Sequence, residues 1–71
     1  MDQTEHDKNL MVVAAVEGYA GRHNISTADA FALMSKYGVI DAIRENYNVL
    51  HTQSLDENIY FAEDMLKWKM E

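Results

Sequence analysis

Apolar residues recur along this chain at three- and four-residue intervals, from Leu10 through to Trp68, and β-branched alternation is scarce. That periodicity predicts helix throughout, and the stops between the periodic stretches divide the chain into four. The first helix is expected over about residues 4–22, with Thr4 as a cap and Glu5 and Asp7 suited to the positive end of the helix dipole. Val12, Val13, Val16, Tyr19 and Ala20 share one face of it. Leu10, Met11, Ala14, Ala15, Gly18 and Gly21 lie on the other side with Glu17 and Asp7, so this helix is apolar most of the way round.

The segment NISTADAF restarts the chain. Ser26 is a natural N-cap, and Asp29 three residues on makes an acidic version of the capping box. A second helix over about 27–37 offers Ala30, Phe31, Met34 and Tyr37 to a core, and Gly38 supplies the left-handed residue that ends it. A third over about 39–50 carries Ile40, Ile43, Tyr47 and Leu50 on one stripe. Ser54 and Glu57 form a capping box for the fourth, about 55–69. It bears two stripes: Leu55, Ile59, Ala62 and Leu66, and Phe61, Met65 and Trp68. The expected fold is all-α, a compact bundle of four short helices forming a single domain over residues 1–71.

Helices 1 and 4 each present more apolar perimeter than one core contact uses. Met11, Ala15, Gly18, Phe61, Met65 and Trp68 are therefore candidate interface residues, the small ones because they let another backbone approach closely. A core of this size gives only ~3–5 kcal/mol unaided, and with no cysteine there is no disulfide to add to it. Self-association, most simply a two-fold homodimer, is expected unless a protein partner takes those faces.

Charge narrows the partners. Twelve acidic residues stand against six basic ones, for a net charge of −6. The basic residues, Lys8, Arg22, Lys36, Arg44, Lys67 and Lys69, are scattered, whereas nucleic-acid binding needs a clustered cationic face. The helix–Gly38–helix outline of residues 28–46 resembles a helix-turn-helix. Its would-be recognition helix, however, carries Asp41, Glu45, Asn46 and Asn48 around a single arginine, Arg44. An acidic helix-turn-helix regulator or a purely structural homodimer is the alternative reading, and direct nucleic-acid binding is not expected. The longest mainly apolar run, Leu10 to Val16, is far short of the ~20 residues that span a bilayer. The start of the chain does not resemble a signal peptide, so a cytoplasmic protein without a membrane role is expected.

Chemistry-bearing motifs are sparse. His6, His23 and His51 are far apart, with no zinc-site spacing, and no glycine-rich phosphate loop is present. No catalytic residue, metal site or cofactor is expected, and a non-enzymatic protein is the reading. The one polar cluster that interrupts the helical rhythm is YNVLHTQS, where Tyr47, His51 and Thr52 form a candidate corner site. His51 and Thr52 can satisfy the last carbonyls of the preceding helix. A polar pocket there for a partner or ligand is the functional counterpart of that structural role.

Taken together, Tyr19, the segment His23-Asn24-Ile25-Ser26, the turn Lys36-Tyr37-Gly38 and the corner Tyr47-x-x-Leu50-His51-Thr52 resemble an uncharacterised family of very short bacterial proteins. The resemblance covers about residues 10–68. Members of that family tend to be encoded beside another uncharacterised family that looks like ADP-ribosyltransferases. The resemblance thus implies an accessory or antitoxin-like role, with the neighbouring gene product as partner.

Overall fold

The structure, a computed structural model, describes residues 3–70. Its elements are α1 (Gln3–His23), α2 (Thr27–Lys36), α3 (Val39–Glu45), α4 (Tyr47–Leu50) and α5 (Leu55–Met70). The all-α bundle is as expected, and no described residue lies in a strand. α1 is the element around which α2, α3 and α5 pack.

Local signals set most boundaries. Ser26 Oγ accepts from the Asp29 N–H at 3.0 Å and starts α2. Gly38 adopts φ 74°, the left-handed conformation, between α2 and α3. Ser54 Oγ accepts the Glu57 N–H at 3.2 Å and its hydroxyl donates to the Glu57 carboxylate, closing the start of α5. Asn24, at φ 55°, ends α1 in place of a glycine. The Ile25 N–H then reaches back to the Ala20 carbonyl at 3.0 Å, the longer of the two bonds of a Schellman motif.

Three details differ from the sequence expectation. Thr4 lies inside α1 and does not cap it, and Glu5 stands in the first turn. The stretch 39–50 is two helices. Asn46 leaves the helical region (φ −101°, ψ 19°), and its side-chain Nδ2 donates to the Ala42 carbonyl at 2.8 Å. That carbonyl also takes the Asn46 backbone N–H, so the asparagine competes for a helical acceptor and the chain bends there. Phe31, Val13 and Leu55 are about half exposed and not core residues. Phe31 and Val13 each sit one residue, about 100° of helix, beyond the buried line that continues through Ala30 and Met34 or through Val12 and Val16. Leu55 is the first residue of its helix.

The core joins Val12, Ala15, Val16, Tyr19 and Ala20 of α1 to Ala30 and Met34, to Val39 and Ile43, to Leu50, and to Ala62 and Leu66 of α5. At Ala15 and Gly18 the small-residue side of α1 is filled from within. Ala15 is 0 % exposed, and a Cβ built on Gly18 would lie 2.4 Å from Ile59 Cδ1. The expectation that these two residues await another chain is thereby corrected: Ala15 is covered within the chain, and Gly18 is met by the Ile59 side chain of α5.

Two polar clamps hold α1 to the rest. At one end Arg44 of α3 bonds Glu5 and Asn9. At the other, His23 Nε2 lies 2.6 Å from Glu63 Oε2 and stacks on Tyr19 with ring centroids 4.1 Å apart. Arg22 adds an ion pair to Glu63 at 3.6 Å and lies over the Tyr60 ring at 4.5 Å.

Candidate functional site

The corner between α4 and α5 has few places for its last carbonyls to go. The His51 ring Nδ1 meets the Tyr47 carbonyl at 2.9 Å, and Thr52 Oγ1 donates to the Val49 carbonyl at 2.7 Å. A carbonyl only accepts, so Nδ1 carries the hydrogen and Nε2 of the neutral ring keeps its lone pair. The imidazole also stacks on Tyr47, with centroids 4.9 Å apart and planes 13° off parallel. The Tyr47 hydroxyl in turn donates to Asp7 of α1 at 3.4 Å. Desolvation, and after it the Asp7 carboxylate, raise the Tyr47 pKa above its ordinary value.

Tyr47 and His51 thus become one wall of a cleft of about 260 Å³ between the corner, α1 and α5. Leu10, Met11, Ala14, Leu50 and Leu55 give it apolar surface; Asp7 and Gln53 add polar edges. Thr52 is occupied at the turn and is not among the lining residues. Asn58 also lines the cleft and is 8 % exposed, with its Oδ1 buried and without a hydrogen-bond partner among the described residues. An unpaired buried amide oxygen is costly, on the order of 1–3 kcal/mol. Asn58 did not figure in the sequence reading, although its spacing could have revealed it. It follows Leu55 by three and precedes Ala62 by four, a polar residue set on an apolar stripe.

The remaining interface candidates fall in two places. Met11 is half-buried, packed against the core and in the cleft. Phe61 and Met65 are half-buried and meet Trp68, which is 72 % exposed, around a separate open depression of about 500 Å³ edged by Asp64 and Lys67. The two hollows share no lining residue. Among the described residues, no group of three or more metal-ligating side chains is gathered to hold an ion. No described helix is long and apolar enough to cross a membrane.

The fold and its corner cleft define a small all-α bundle with two separate hollows, one polar-edged and one apolar. The chain belongs to the family described as "Protein of unknown function (DUF3791)", whose sequence profile matches residues 10–69. No curated protein and no solved structure matches it.

Proposed function

We propose that the chain is a small, non-enzymatic, cytoplasmic protein-interaction module that docks another protein through the apolar end of α5. The observation that carries this reading is Trp68, 72 % exposed beside Phe61 and Met65. A tryptophan left in water on a contiguous apolar patch is the usual anchor of a protein–protein contact. The first candidate partner is the one the family resemblance implies, a neighbouring ADP-ribosyltransferase-like protein that this chain would neutralise or position. In its absence, a second copy meeting the same face about a two-fold axis is the expected occupant.

The helix-turn-helix alternative is less well supported. Arg44, the one arginine of its would-be recognition helix, is engaged by Glu5 and Asn9. Co-purification of the chain with the product of the adjacent gene, as wild type and as Trp68→Glu, tests the proposal. Capture by the wild type and loss with a folded Trp68→Glu variant is the expected result. Undiminished capture by the variant refutes docking at this face, and submicromolar, salt-sensitive binding to duplex DNA would favour the regulator instead.

A further inference from the structure

The polar groups that edge the corner cleft are mostly acceptors, although the amides of Gln53 and Asn58 also carry N–H donors. His51 Nδ1 is taken by the Tyr47 carbonyl, which leaves Nε2 of the neutral ring as an acceptor. The Tyr47 hydroxyl spends its hydrogen on Asp7, so what it offers outward is lone pairs. Asp7 brings a negative charge, and no lysine or arginine is among the described lining residues. Asn58 holds a buried amide oxygen without a donor. A cleft that presents acceptors and a carboxylate, in a chain of net charge −6, selects for hydrogen-bond donors carrying positive charge. Its other surface is aliphatic, from Leu10, Met11 and Leu55. The volume of about 260 Å³ is below the ~300–1,000 Å³ of sites that enclose a drug-sized molecule, and suits one long side chain or its equivalent.

We infer that this cleft is a binding site for an ammonium or guanidinium group on an aliphatic stem. The stem lies along Leu10, Met11 and Leu55. The head donates to Asp7 and to the Asn58 amide, which turns about its terminal torsion to present Oδ1. The site is separate from the Trp68 face and does not depend on what docks there. Such a head group has two sources, a free alkylamine or a lysine or arginine side chain of another protein, and the chemistry recognised is the same.

Backbone amide shifts of the full chain, titrated with n-butylammonium chloride and, at matched ionic strength, with n-butanol, test the site. Butylammonium should shift the amides of Met11, His51 and Asn58 saturably, and butanol should bind them at least about tenfold more weakly, the scale of losing one charge-assisted hydrogen bond. A capped lysine pentapeptide and its acetyl-lysine counterpart then distinguish the sources. Binding of the lysine peptide alone of the two points to a protein side chain, and binding of butylammonium with neither peptide points to a free amine. Asn58→Leu and Asp7→Asn should each weaken butylammonium by about tenfold; should Asn58→Leu not fold, Asp7→Asn decides. Equal binding of butanol, no saturable shift at these amides, or wild-type affinity in the folded variants would overturn the site.

Discussion

Gly18 and Gly21 lie on the same helix, three residues apart, and an added methyl group at each should have opposite effects. Nothing lies within 4 Å of a Cβ built on Gly21, whereas one on Gly18 would lie 2.4 Å from Ile59 Cδ1 and 2.9 Å from its Cγ1. Both substitutions to alanine gain helix propensity, at most about 1 kcal/mol and less near the end of α1. Gly21→Ala should therefore stabilise the protein by roughly 0.5 kcal/mol. Gly18→Ala meets a buried isoleucine in the same step, and overpacking of that kind costs about 1–3 kcal/mol. The net expectation is a loss of up to about 2 kcal/mol, which for a domain of this size lowers Tm by roughly 4–8 °C per kcal/mol. Urea unfolding followed by circular dichroism measures both variants against wild type. The pair also reports on Ile59: in the Gly18→Ala background, Ile59→Val removes the closest atom and should cost less than it does alone. If Gly18→Ala stabilises as much as Gly21→Ala, α5 does not lie where its close approach to α1 requires, and the small-residue side of α1 would again be open to another chain.

His51→Ala should lower stability by about 0.5–2 kcal/mol, the scale of a lost cap or local hydrogen bond, and leave capture of the partner by the Trp68 face unchanged; a variant with wild-type unfolding but lost capture would contradict this. Asn58→Leu should be neutral or stabilising by roughly 1 kcal/mol, because it removes a buried unsatisfied oxygen, and a clear loss in chemical denaturation would mean the amide is satisfied in solution. Tyr19 and Tyr47 both have pKa values raised above the ordinary 10.0, Tyr19 by burial and then by Glu63, Tyr47 by desolvation and then by Asp7. Their unfolded forms ionise first, so the stability they contribute is complete below about pH 10 and falls as pH rises through the folded values. Spectrophotometric titration of Tyr47→Phe should show a late-ionising tyrosine removed, and an unchanged profile would refute the shift.

The features legible in the sequence were those that one turn of chain decides. Ser26 with Asp29, Ser54 with Glu57, and Gly38 each act within four residues, so their type and spacing predict what they do. Asn24 and Asn46 act just as locally, yet asparagine is compatible with several backbone conformations, and the end of α1 and the break after α3 could not be assigned from it. Burial was harder, because it depends on where neighbouring elements lie. A periodic face identifies Val12 and Met34 but runs wide enough to include Val13 and Phe31, which the packing leaves outside. Ala15 and Gly18 announced a close approach without saying which chain would make it. At the corner, Tyr47, His51 and Thr52 stood out by type, but the cleft exists only because α1 and α5 bring Asp7 and Asn58 beside them. Tyr47 and the Asp7 it bonds, for example, are 40 residues apart in sequence.

The central place of α1 has a kinetic consequence. α1 is made before α5, which completes its surroundings: its Glu63 clamp spans 40 residues from His23. Closing so long a loop must precede the reward of the contacts it permits. Until α5 has been made, the α1 surface at Gly18 lacks the Ile59 side chain that meets it, and the nascent chain carries an apolar surface open to chaperones, proteases or a neighbouring chain. Chains that stop short of α5, through early termination or cleavage in the corner, would keep that surface and be the forms a cell removes first.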